Sequence, residues 1–454
     1  MRTPISRPSL YSGALWVSLC LAVGFSVSLQ AQTPTLDALI VEAEANWPAL
    51  SKSTALREAA VASQLEATRA YRPTVSVGGT YTLAAGGRTI ALPLGDLLNP
   101  AYGALNQLTQ TQNFPTLENQ EEPLLPNNFY DARVRVVQPL IQPEIQLSRK
   151  LAAAGIAAQD ASIEVVRAEL RASVRTAYFQ LASARAAVEI YEAAEALTDE
   201  AYRTTSSLVR NGAALPLARE RVVAERAQVQ ANKAAAEATL DNAIAQLNYL
   251  LGRQFDEAVA EARAIDAQPL SSIDPDSIDI SARAELDQLA AAIEVAALQL
   301  ELESKFRRPR LGLQLDAGSQ DFDFGLQPYI LAGLNLNVPL YDGGRHGART
   351  QRLKAEQRAA NAQLEEAQRG FGLQLEVARH QLRAARAQLA AYEPAVAAAQ
   401  RAYEDADKLY RAGQTGYVEL LDAQNQLTTT RLQEALARYT TSIRYVELLQ
   451  AAGR

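Results

Sequence analysis

Leu375 to Tyr410 reads LEVARHQLRAARAQLAAYEPAVAAAQRAYEDADKLY, and its apolar positions decide the fold. Leu375, Ala378, Leu382, Ala385, Leu389, Tyr392, Val396, Ala399, Tyr403, Ala406 and Tyr410 fall at alternating steps of three and four residues. A stripe with that period stays on one side of a helix only if the helix winds gently about a partner, which is left-handed coiled-coil packing. Several of these positions are alanine, so the helices can approach closely. Pro394 lies inside the run, where it removes a backbone donor and is expected to kink or loosen the helix.

The same pattern occurs once more, earlier in the chain. Ile163, Val166 and Leu170, then Ala177, Leu181, Ala184, Val188 and Tyr191, keep the spacing, and no proline interrupts Glu144 to Val209. At about 1.5 Å per residue an unbroken helix of that length spans roughly 100 Å, far more than a compact domain.

Around these helices the chain repeats itself. Leu208-Val209-Arg210-Asn211-Gly212 pairs with Leu409-Tyr410-Arg411-Ala412-Gly413 at a spacing of 201 residues, and Pro139 with Pro339 at a spacing of 200. Arg72-Pro73 pairs with Arg308-Pro309 at 236, so the extra residues fall after the first strand, in a long segment from Ala84 to Asn128 rich in Gly, Pro, Asn, Gln and Leu. The expected division is a leader over 1–31, a first repeat over 32–252, a linker over 253–280 and a second repeat over 281–454. Each repeat holds a helix, two strands and two long helices.

The strands are read from period-two alternation. Val75, Val77, Tyr81 and Leu83 alternate with Thr74, Ser76, Thr80 and Thr82, and Leu311, Leu313 and Leu315 with Gly312, Gln314 and Asp316. Ile330, Ala332, Leu334, Leu336 and Val338 oppose Gly333, Asn335 and Asn337. One apolar and one polar face suits a sheet between lipid and a wet lumen, and equally a half-buried sheet in an ordinary domain. If the sheet enters a membrane, four strands are too few to enclose a usable bore, so several chains must contribute.

Composition narrows the function. Of 454 residues 48% are hydrophobic and only 6% aromatic, and the net charge is −7. Arg2 and Arg7 precede an apolar run from Ala14 to Leu29, and Leu29-Gln30-Ala31 is a tolerable cleavage site, so an exported chain is expected. Loss of both arginines takes the charge from −7 to −9, which disfavours nucleic acid. Cys20, the one cysteine, lies in that leader, and His346 and His380 are the only histidines. No dedicated metal site or cofactor is expected from so few soft ligands. Gly343-Gly344-Arg345-His346 lacks the Lys-Ser/Thr ending of a phosphate loop and reads as a turn. No catalytic constellation emerges, and an enzyme is not expected.

Two stretches carry a family resemblance. Val338-Pro339-Leu340-Tyr341-Asp342-Gly343-Gly344-Arg345 resembles the strand-to-helix turn, and Tyr410 to Gln424 the helix-turn-helix tip, of the TolC-like outer-membrane efflux protein (outer-membrane factor) family. The resemblance implies a mixed α and β fold: a transmembrane β-barrel of twelve strands, four per protomer of a homotrimer, above a long α-helical coiled-coil barrel, internally duplicated. It implies a passive outer-membrane exit duct of a tripartite efflux or type I secretion system, working with a periplasmic adaptor (membrane fusion protein) and an inner-membrane pump. The loop 84–128 then lies outside the cell. Glu419 and Asp422 match the family's gate acids. Gly212, Arg411, Gly413 and Thr415 mark adaptor-docking tips, and Pro73, Pro139, Pro309, Pro339, Gly343 and Gly344 mark strand-helix turns. Ala218 stands where many members carry an acid, after Pro216, which weakens any gate bond from the first tip. The alternative is a structural periplasmic or surface coiled-coil protein that conducts nothing.

Overall fold

The computed structural model describes residues 35–259, 275–322 and 324–454. The leader over 1–31 and the middle of the linker over 253–280 lie outside the described residues. The chain is mostly helical with some sheet, and two helices dominate it: α4 (Pro143–Arg210) of 68 residues and α7 (Arg345–Arg411) of 67.

All eleven seam positions between Leu375 and Tyr410 are buried or half-buried, as periodicity predicts. Helix α7 runs through Pro394 without interruption. Pro394 is exposed, so its missing donor faces water rather than a packed neighbour.

Shorter helices pack along these two. Helix α5 (Pro216–Leu251) lies against α4 and α8 (Tyr417–Ala451) against α7, while α2 (Pro48–Arg69) and α6 (Ala284–Ser304) cover the ends nearer the sheet. Trp47-Pro48 separates α2 from α1 (Leu36–Asn46), because proline suits a helix start and disrupts an interior.

Where α5 ends, Gly252 takes a positive φ of 73° and the Asn46 amide donates to the Leu251 carbonyl at 2.9 Å. Where α8 ends, Gly453 takes a φ of 77°, and Arg283, one residue before α6, donates to the Ala451 carbonyl at 3.3 Å. A Cβ on Gly453 would sit 2.6 Å from the Ala282 carbonyl, so only glycine fits that joint. Each joint has an apolar cluster beside it: Leu39, Val174, Leu181, Leu247 and Leu251 near the first, Ile278, Leu382, Tyr445 and Leu448 near the second.

The strands β1 (Thr74–Thr82), β4 (Phe129–Ile141), β5 (Arg310–Phe322) and β6 (Pro328–Asn337) form one antiparallel sheet in the order β1-β4-β5-β6. Register puts Val77 opposite Val134, Val136 opposite Leu315, and Leu313 opposite Leu334, so one face is apolar across all four strands. The other face carries Ser76, Arg135 and Asp316 in one row. There the Arg135 guanidinium makes two 2.8 Å bonds to the Asp316 carboxylate. A single chain leaves this sheet open.

Residues 84–128 are not an irregular loop. They fold into a hairpin of β2 (Thr89–Leu92) with β3 (Gln120–Pro123) and a helix, α3 (Leu94–Thr109). The turn opposite is short, and Ser319 pairs with Pro328 inside the sheet. Pro139 also differs from expectation. It lies within β4 at a bulge before Ile141, where a missing donor costs little, and the turn into α4 falls at Gln142.

Candidate functional site at the helical tips

Each long helix reverses through the same local structure. At the end of α4, Gly212 donates to the Val209 carbonyl at 3.1 Å and Ala213 to Leu208 at 2.8 Å. At the end of α7, Gly413 donates to Tyr410 at 3.0 Å and Gln414 to Leu409 at 2.9 Å. Both are Schellman caps, which satisfy the last carbonyls by turning one residue left-handed. Gly212 and Gly413 supply that residue with φ of 72° and 68°. Four residues later the return helix starts, at Pro216 and at Tyr417.

Between the two turns lies a cleft of about 230 Å³. Leu208, Leu215, Ala218, Tyr410, Thr415 and Tyr417 line much of it, and Gly413 borders it. Tyr417 is buried, burial raises its phenol above the ordinary range with the Glu225 charge adding to the effect, and its hydroxyl has no hydrogen-bond partner among the described residues. Leu215, Leu217 and Val418 stand exposed at the rim.

One buried polar contact ties the two halves together above the tips. The Thr205 hydroxyl on α4 lies 2.8 Å from the Tyr410 phenol on α7, and burial holds that phenol above its usual range despite this bond. Arg411 reinforces it with a 2.8 Å bond to Asp407 and a 3.4 Å approach to Glu200 on α4. Those carboxylates raise the guanidinium still further. Thr205 and Glu200 were not found by sequence reading. A signal was present: Ala177, Ala184, Tyr191, Thr198 and Thr205 follow one another every seven residues, and a polar side chain at a seam position needs a partner.

Glu419 and Asp422 lie one turn apart on α8 and both are exposed, while Tyr417, Leu420 and Gln424 turn inward. Among the described residues neither acid forms an ion pair with a basic side chain. Of the expected tip residues, Gly413 and Thr415 border the cleft, Gly212 shapes the opposing turn, and Arg411 is engaged with α4.

At the other end of α7, Gly343 and Gly344 have φ of 74° and 83°, and Asp342 accepts a 2.8 Å bond from the His346 amide, capping the helix. Pro73 and Pro309 precede β1 and β5, and Pro339 follows β6. Among the described residues no group of three or more His, Cys, Asp or Glu could hold a metal ion, and no helix is long and apolar enough to cross a membrane.

Known proteins share this architecture. Residues 280–454 match the family described as outer membrane efflux protein. Outer membrane protein TolC of Escherichia coli (strain K12) is 24% identical over 454 residues, covering 95% of this chain and 84% of that protein. The solved structure of CusC superposes with a TM-score of 0.74 at 16% identity, over 92% of this chain and 91% of that one. VceC from Vibrio cholerae gives 0.70 at 18% identity, over 92% and 96%. By family pattern over residues 280–454, near full-length likeness and fold together, this chain is similar to the outer membrane efflux proteins, and that likeness points to the outer membrane with the helices in the periplasm.

Proposed function

We propose that the protein is the passive exit duct of a tripartite efflux or type I secretion system. Three copies each supply four strands to a twelve-stranded barrel, and the helices continue it as a tunnel across the periplasm. The sheet carries this reading. Its apolar face is uncovered, with Val77 83% and Ile330 85% exposed, its opposite face is charged, and it sits on helices of about 100 Å. Four strands curved alone would leave no bore, whereas twelve can enclose one.

The matched joints at Gly252 and Gly453 and the matched caps at Gly212 and Gly413 support an internal duplication, with repeats over 32–252 and 281–454. In the trimer, Glu419 and Asp422 of three chains form acid rings at the inner end, which favour cations and narrow the pore. The cleft at the tips takes the periplasmic adaptor, which links the duct to the inner-membrane pump. Its apolar rim and the unsatisfied Tyr417 hydroxyl suit a helical hairpin that brings both leucine-type contacts and a hydrogen-bond acceptor. Energy comes from the pump, and the duct has no catalytic centre or cofactor of its own.

Planar-bilayer conductance of the purified trimer, compared with a Glu419→Ala/Asp422→Ala variant, tests this. A small cation-favouring conductance that rises when both acids are removed is expected. A folded trimer that forms no pore would instead support a structural coiled-coil protein.

A further inference from the structure

The segment 84–128 is built to hold α3 in one orientation. Gly95, Asn99, Tyr102 and Asn106 share one side of α3, and each meets the strand-like stretch after it. The Asn99 side chain donates to the Leu117 carbonyl and accepts from the Leu117 amide, both at 2.8 Å. Asn106 does the same with Phe114, at 2.8 and 3.1 Å, and Tyr102 packs on the Phe114 ring. A Cβ at Gly95 would come within 2.4 Å of the Leu117 carbonyl, so the backbones touch there. These clamps fix which side faces out.

The outward side is apolar. Leu94, Leu97, Leu105 and Leu108 run along it, with Leu97 69% and Leu108 81% exposed, so these two are left largely uncovered by the described residues. A leucine stripe at such spacing packs well on another helix, and one held rigidly toward water implies a partner. Charge selects which partner. Over 84–128 there is one basic residue, Arg88, against Asp96, Glu118, Glu121 and Glu122, whereas helices that lie on anionic lipid carry a basic polar face. Position points the same way: the segment leaves β1, an edge strand whose free side is where the next copy's β6 must pair.

We propose that the leucine stripe of α3 is a self-association surface: α3 of each copy packs against α3 of the next and forms a collar around the outer mouth of the channel. This rests on the three-copy barrel proposed above, which places 84–128 at that mouth. The three stripes converge about the threefold axis, which brings like positions of neighbouring copies together, so the contact steadies the seams and narrows the exit.

Cysteine cross-linking tests it, because Cys20 is the only cysteine and can be replaced. In a Cys20→Ala background, Leu97→Cys and Leu108→Cys treated with a short bismaleimide should give a band of doubled mass, and Gln107→Cys, on the flank of the helix, should not. Light scattering of the same samples reports the oligomer. A trimer in which Leu108→Cys stays uncoupled overturns the collar while leaving the barrel reading intact. A monomer overturns the barrel reading itself. Quenching of a fluorophore at position 108 by spin-labelled lipid, without coupling, would assign the stripe to the membrane and overturn the collar.

Discussion

The Thr205 hydroxyl and the Tyr410 phenol meet at 2.8 Å in a buried contact between α4 and α7, five residues before the end of one helix and one before the end of the other. Among the described residues no other side-chain hydrogen bond so near the tips joins the two long helices out of reach of water. Tyr410→Phe keeps the ring and strands the Thr205 hydroxyl, a loss of about 1–3 kcal/mol. Conductance in a planar bilayer should rise, and a variant with unchanged conductance would show that this pair does not restrain the tips.

Gly318 faces Arg133 across the sheet, where a Cβ would approach the Ala132 carbonyl to 2.5 Å and the Arg133 Cβ to 2.8 Å. Gly318→Ala should therefore push β4 and β5 apart and lower the temperature at which the folded protein is lost on gels. Gly333→Ala, in the same sheet with open space around it, should leave that temperature unchanged.

The two caps predict a matched pair. Gly212→Ala and Gly413→Ala force a side chain into left-handed backbone and should each cost about 1 kcal/mol. Gly155→Ala, inside α4 with nothing near its Cβ position, should stabilise by about 0.5–1 kcal/mol. Thermal unfolding midpoints of the three variants read both signs at once.

Burial pushes the Glu285 carboxyl up, but hydrogen bonds from Arg283 and the backbone, with the Arg283 charge, outweigh it and hold the group below its ordinary value. A carboxyl lowered in the fold adds stability above the ordinary carboxylate range, and that share disappears as pH falls through the lowered value. Wild type should unfold at a higher temperature than Glu285→Gln at pH 7, and the gap should close on acidification. A gap that persists in acid would place the effect in packing rather than charge.

The helices were legible because period and length are local properties. Eleven seam positions and the absence of proline between Glu144 and Val209 were enough to specify two rods, and the match of Leu208–Gly212 with Leu409–Gly413 marked where both reverse. The hairpin and helix inside 84–128 were not legible. The leucines of α3 could be seen in the sequence, but what shapes the segment is Asn99 and Asn106 bonding to backbone 18 and 8 residues away, and side-chain-to-backbone clamps leave no period. Pro139 was placed at a turn through its pairing with Pro339 and the resemblance, yet the bulge in β4 accommodates it. Thr205 was missed because its partner lies 205 residues away.

The joints at Gly252 and Gly453 have a mechanical consequence. Each long helix is a continuous beam, while the shorter helices beside it, α5 with α2 and α8 with α6, stop and restart partway along. A spliced beam bends most readily where only one member is unbroken, so a load applied at the tips is relieved at mid-length rather than passed on to the sheet. The tip end can then flex under load while the sheet end stays still.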